Sequence, residues 1–136
     1  MNKCVFCKIA KGEIPADKIY EDDNFFAFLD INPVNPGHVL VVPKNHYENI
    51  YSAPDEILCD IGSLVKKISI AVKQGVNADG INIIMNNESA AGQIVPHVHF
   101  HIIPRFSGDG LRHWIGKPYA NKEEVAKIAE KIRSEI

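Results

Sequence analysis

Residues 96–105 read "PHVHFHIIPR", with His97, His99 and His101 on alternate positions and Val98, Phe100 and Ile102 between them. Side chains of an extended chain point alternately to opposite faces, so this stretch predicts a strand that buries Val98, Phe100 and Ile102. The three imidazoles then stand on the other face, roughly 6.6 Å apart. Such a strand suits only a sheet with one apolar face and one face left for chemistry. The chain has six histidines, so half of them serve this one face. Imidazoles this close lower one another's pKa, and at least one is expected to stay neutral and nucleophilic beside a neighbour able to donate a proton.

The surrounding pattern is consistent with such a sheet. Two apolar runs, Phe25 to Leu29 and His38 to Val42, flank a Pro/Asn/Gly loop and read as neighbouring strands. From Ser52 the period changes to three and four residues (Ile57, Ile61, Leu64, Val65, Ile68, Val72). This predicts a long amphipathic helix with a Ser52/Asp55 capping box that ends at Gly75. Gly80 to Met85 and His97 to Ile103 read as two further strands. A last helix is capped by Asn121 and Glu124 and carries the apolar stripe Val125, Ile128, Ala129 and Ile132. Strands interrupted by one long helix argue for α+β with a mainly antiparallel sheet, the helix covering one face.

At 136 residues the chain is expected to form one domain spanning 1–136. Its net charge of −2 lacks the basic footprint of a protein that coats nucleic acid, so any phosphate is held locally and the partner is a small anion. No apolar run has the length of a signal peptide or a membrane span. The expectation is a cytoplasmic protein with no membrane partner. "CVFC", Cys4 to Cys7, has zinc-knuckle spacing, and the residues alone leave it open to zinc, redox chemistry or two core thiols. Cys59 lies within the long helix pattern and reads as a small buried apolar residue. A metal-hydroxide hydrolase using the H-x-H pair is an alternative reading of the histidines, although no acidic residue follows closely to complete it.

His97-Val98-His99-Phe100-His101-Ile102-Ile103 resembles the H-φ-H-φ-H-φ-φ signature of the histidine triad (HIT) superfamily of nucleotide hydrolases and transferases. "FLDINPVNPGHVLVVPKNH" is similar to the family's nucleoside-binding strand pair, and "NNESAAGQIVPHVHFHIIPR" to its phosphate loop and active strand. The likeness covers nearly the whole chain, residues 106–120 matching least. It implies a HIT-like fold with a five-stranded sheet, one long helix and a C-terminal helix.

By that resemblance His99 is the nucleophile that attacks the α-phosphorus, His101 assists proton transfer at the leaving group, and His38 supports the hydrogen-bond network. The phosphate cradle is expected from backbone N–H groups near Gly92 and Ile94 with the Asn86 amide, and Gln93 between them is implied to bind the nucleotide as well. Many relatives carry Ser or Thr where this chain has Ile94, so only the backbone amide serves there. Asp30 resembles the acceptor of the ribose hydroxyls; taken alone it reads equally as a turn carboxylate. Phe6, Ile9, Phe28, Ile31 and Leu40 are implied to form the base slot, and singly each is as well explained as core.

Relatives beginning C-x-F-C-K-I resemble this chain in a structural Zn2+ site, implying Cys4, Cys7, His46 and His97 as ligands. The resemblance further implies a homodimer in which His113 and Trp114 reach toward the partner's site. The activity implied is hydrolysis of a nucleoside monophosphate, AMP or GMP, from a small leaving group through a nucleotidyl-histidine. The alternatives are a dinucleoside polyphosphate hydrolase and a non-catalytic nucleotide-binding regulator.

Overall fold

The computed structural model describes residues 3–136. Its elements are α1 (Val5–Ala10), β1 (Lys18–Glu21), β2 (Phe25–Leu29), β3 (Val39–Pro43), α2 (Asp55–Gly75), β4 (Gly80–Ile84), a short 3-10 turn at Ser89–Ala91, β5 (Phe100–Arg105) and α3 (Lys122–Arg133). The five strands lie in the order β1-β2-β3-β5-β4, and every neighbouring pair is antiparallel. The α+β expectation holds, with one long helix and a C-terminal one. Among the described residues no helix is long and apolar enough to cross a membrane.

β2 and β3 are apolar along their whole length because both faces of the sheet centre are covered. Phe25, Ala27, Val39, Val41 and Ile102 pack under Ile61, Leu64, Val65, Ile68 and Val72 of α2, the stripe that the helical period marks out. On the opposite face Phe26, Phe28, Leu40 and Val42 pack against Phe6 and Ile9 of α1. Burying one such side chain stabilises the fold by roughly 1.5–3 kcal/mol, so α1, six residues long, is held by this packing and not by its own propensity. A single row runs across this second face: His101 pairs with Leu40, Leu40 with Phe28, and Phe28 with Lys18.

Three local expectations are corrected. β5 starts at Phe100 and not at His97. In the β3 register Val41 faces Phe100, so continuing the ladder would bring up Pro43, which has no N–H to give. The chain instead crosses residues 46–50, Val98 N–H donating to the Tyr47 carbonyl at 2.7 Å. The Ser52/Asp55 capping box does not form. Pro54 occupies the N-cap of α2 without a side-chain cap, and the Ser52 hydroxyl donates to the Asn49 carbonyl at 3.1 Å. Cys59 is exposed on α2, not buried. At the C-terminal helix the Asn121 cap forms, its Oδ1 accepting from Glu124 N–H at 2.8 Å, yet no residue of α3 is buried.

The loop between β2 and β3 is pinned through Asn35. Asn35 Nδ2 donates to the Pro104 carbonyl and to Asp109 Oδ2, each at 2.9 Å. Two hydrogen bonds from Arg105 lock the Asp109 carboxylate and hold it well below the usual carboxylate range. Gly37 turns with φ 99°, where a Cβ would stand 2.8 Å from Val76 Cγ1. This geometry delivers His38 to the start of β3.

Candidate active site

On the face away from α2 a cavity of about 830 Å³ opens between α1, β2, β3 and the loop that follows β4. Phe6, Ile9, Phe28 and Leu40 wall it and are buried, and Ile31 stands at its rim, 90% exposed. His38, His99, His101, Asp30, Asn86, Gly92 and Ile94 also line it. Ile14, Ala16 and Val95 complete the apolar wall; nothing in their local pattern signals this, since they sit in irregular backbone. Gln93 does not line the cavity. Its side-chain oxygen accepts from Glu88 N–H at 2.7 Å and its amide donates to the Glu48 carbonyl at 2.6 Å.

The backbone fixes which imidazole nitrogens carry hydrogen. A carbonyl only accepts, so His99 Nδ1, 2.7 Å from the His97 carbonyl, is the protonated nitrogen and Nε2 keeps its lone pair. Val34 N–H donates to His38 Nδ1 at 3.1 Å, so His38 carries its hydrogen on Nε2. That hydrogen points at His101 Nδ1, 2.9 Å away. His101 is thereby left with an Nε2–H to donate. One strand end thus presents an imidazole lone pair and an imidazole N–H on rings whose centroids are 5.0 Å apart.

Burial favours the neutral form of all of them. It pushes His101 down to about 4, helped by the neighbouring His99 and His38. It lowers His99 and His38 as well, while the Asp30 carboxylate pulls both back upward. Asp30 Oδ1 accepts from Asn32 N–H at 2.8 Å, and Oδ2 lies 3.7 Å from His38 Nε2. Asp30, His38 and His101 also bring donor atoms within 4.8 Å of one another, but the His38 and His101 nitrogens that face each other are engaged in the relay just described.

The phosphate loop is corrected at one position. Gly92 lines the cavity, but its N–H donates to the Ser89 carbonyl at 3.0 Å and so already has its acceptor. Ile94 N–H has no acceptor among the described residues, and its side chain is 92% exposed. Gly92, with φ 89°, brings the backbone close to Asn86, whose Nδ2 would lie 3.8 Å from an added Cβ.

His97 belongs to a second cluster. Its Nε2–H donates to the Pro43 carbonyl at 2.8 Å, leaving the Nδ1 lone pair facing the sulfurs. That nitrogen lies 3.3 Å from Cys4 Sγ, 3.5 Å from Cys7 Sγ and 3.2 Å from His46 Nδ1; Cys7 Sγ and His46 Nδ1 are 3.3 Å apart. Bonds of about 2.0–2.1 Å to nitrogen and 2.3 Å to sulfur around a tetrahedral zinc separate ligand atoms by roughly 3.3–3.7 Å. The donor set and its spacing fit that ion. The cluster adjoins the site: Phe6, between the two cysteines, lies edge-on to both His97 and His99, centroids 5.8 and 5.0 Å away.

Residues 11–108 match the HIT domain. The chain is 42% identical over 135 residues to the adenosine 5'-monophosphoramidase of Schizosaccharomyces pombe, covering 98% of each. It superposes on a HIT family protein from Bacillus subtilis with a TM-score of 0.90 at 39% identity, covering 99% of this chain and 98% of that one. A Zn-bound histidine triad family protein from Mycobacterium smegmatis matches with a TM-score of 0.78 at 38% identity and 97% coverage of both chains. Fold, signature strand and relatives agree: the chain belongs to the HIT family.

Proposed function

We propose that this chain is a nucleotide phosphoramidase that releases AMP or GMP from a small leaving group, an amine above all, through a nucleotidyl-His99 intermediate. The chain is a HIT hydrolase, and relatives named adenosine 5'-monophosphoramidase support the substrate class. The observation that carries the covalent step is the His99 Nδ1–H bond to the His97 carbonyl, which leaves Nε2 unprotonated in the cavity.

In the first step His99 Nε2 bonds to phosphorus as the P–N bond to the amine breaks, and His101 Nε2–H protonates the departing nitrogen; His101 is left as an imidazolate, held by the His38 Nε2–H and balanced by the positive charge of the phosphorylated His99 ring. In the second, water attacks the same phosphorus. The now unprotonated His101 takes the water's proton, and His99 leaves with its electron pair. Water and phosphoramidate go in; amine and nucleoside monophosphate come out, with both histidines restored. The Ile94 N–H and the Asn86 amide stabilise the charged oxygens, Asp30 accepts the ribose hydroxyls, and Phe6, Phe28 and Leu40 hold the purine. Cys4, Cys7, His46 and His97 would hold a structural zinc that fixes α1, and with it Phe6 and Ile9, against the strand.

A homodimer is part of this reading. Its support is apolar surface that one chain leaves open: Trp114 is 92% exposed, Ile115 99% and Ile132 59%, and Ile83 is 51% exposed on the edge strand β4.

The test is to mix the protein with adenosine phosphoramidate, quench, and weigh the intact chain. The reading requires an added nucleoside monophosphate that His99→Ala lacks. Turnover with no adduct at any quench time points instead to direct attack by water.

A further inference from the structure

Glu88 holds φ 71° and ψ 158°, a backbone conformation that essentially only glycine adopts without strain. Among the described residues one other non-glycine residue has positive φ, Asn77 at 54°, and that lies in the ordinary left-handed region open to asparagine. Something must therefore hold Glu88 in place, and the hydrogen bonds show what does. Its N–H donates to Gln93 Oε1 at 2.7 Å, and its carbonyl accepts from Ala91 and Gln93 N–H, each at 3.1 Å. The other end of the same side chain, Gln93 Nε2, donates to the Glu48 carbonyl at 2.6 Å. Asn87 Oδ1 makes a second tie to that segment, accepting from Ile50 N–H at 2.7 Å. Residues 46–50 are in turn joined to the catalytic strand end, since the Tyr47 carbonyl accepts from Val98 N–H at 2.7 Å.

We infer that Gln93 is a positioning residue. Its amide keeps the 86–94 turn in a strained, glycine-type conformation that aims the Ile94 N–H and Asn86 at the phosphorus site, without Gln93 itself touching substrate. The inference rests on the hydrolase reading above for its kinetic consequence, but the clamp is a property of the free chain. Without Gln93, Glu88 relaxes toward negative φ and the turn between Asn86 and Ile94 loses its shape. Glycine at position 88 removes the strain, so the loop then needs the clamp far less.

The experiment compares wild type, Q93A, E88G and the double variant E88G/Q93A, with melting temperatures confirming that each is folded. With adenosine phosphoramidate, Q93A is expected to lose about tenfold in kcat with KM changed less. E88G stays within about threefold of wild type, and the double variant recovers most of the loss. A double variant as impaired as Q93A overturns the inference, because Gln93 would then act on substrate directly; so does a Q93A with wild-type kcat. A second arm needs no substrate: Q93A is expected to speed amide exchange at 86–94 and 46–50 while β2 and β3 stay protected. Unchanged exchange there overturns the clamp even if kcat falls. A wild-type chain that turns over no phosphoramidate sinks the functional reading alone, and the exchange arm still decides this one.

Discussion

His38 donates its Nε2 hydrogen to His101 Nδ1 across 2.9 Å, and the direction of that bond is set at the far side of the His38 ring by Val34 N–H. One backbone amide thus decides which nitrogen of His101, on another strand, carries a hydrogen. His38→Ala removes that direction and lets His101 take either tautomer. The expected loss is about a hundredfold in kcat for an amine leaving group, the usual scale of one lost proton transfer. It should be much smaller for a leaving group, such as a nitrophenolate, that departs without a proton. Equal losses for both would count against a proton-donor role.

The pH profile carries a related sign. His101 is held neutral down to about 4, against an ordinary value of 6.5. In the proposed mechanism the neutral ring, through Nε2–H, is the donor, so kcat/KM should stay flat from neutral pH through 6.5 and fall only as pH approaches 4. An imidazolium donor would instead lose activity as pH rises through 6 to 7. Stability follows the same group. The unfolded chain takes up a proton at about 6.5 and the folded one does not, so His101's contribution is full above 6.5 and declines as pH drops from there to about 4. Thermal melts across that range check it.

Asp30→Asn keeps the shape of the side chain and removes the charge that the proposed reading offers to the ribose. A hydrogen bond to a charged group is worth roughly 1.5–3 kcal/mol, so KM is expected to rise at least tenfold with the ribonucleotide. With a 2',3'-dideoxy substrate the wild type already lacks the bond, and the substitution should then change KM little. A tenfold effect on both substrates would assign Asp30 to His38, 3.7 Å away, instead of the sugar.

Removing metal should act on the fold before the chemistry. The Cys4, Cys7, His46 and His97 donors join α1, the segment after β3 and the strand end, and an ion bound only by the folded state stabilises it. A strong chelator is expected to lower the melting temperature while kcat at low temperature falls only with the folded fraction. A chelator that abolishes turnover at full secondary structure would place the metal in the reaction.

Gly37→Ala tests the hinge that delivers His38. The new Cβ meets Val76 Cγ1 at 2.8 Å on a backbone with φ 99°, a combination expected to destabilise by about 2–3 kcal/mol. Denaturant melts should show a shifted midpoint with unchanged slope.

Much of this was legible in the sequence because burial imprints a period. The α2 stripe and the runs at 25–29 and 38–42 appear as apolar repeats, the second strand lying one residue later at Val39–Pro43, and His99 to Ile102 appear as alternation. What escaped the reading lacks a period. α1 has six residues, under two turns, and exists through its contacts with Phe28 and Leu40. β1 is "KIYE", four residues with charge at both ends. The capping box was a local pattern overridden by Pro54. Gly92 was assigned to the phosphate by resemblance, yet its N–H is claimed by Ser89, a choice made by loop closure that no spacing reveals.

The row of paired residues from His101 through Leu40 to Phe28 acts as a gauge. Neighbouring strands sit about 4.8 Å apart, so two steps span roughly 9.6 Å, close to the reach of one nucleoside monophosphate from phosphorus to base. That length is written in the hydrogen-bond lattice of the backbone, where no side-chain replacement can stretch it. On the reading proposed above, side chains at the cavity wall set which base fits, while a group on the far side of the phosphorus lies outside the measured interval. Breadth toward leaving groups and strictness toward the nucleotide half would then have one geometric origin.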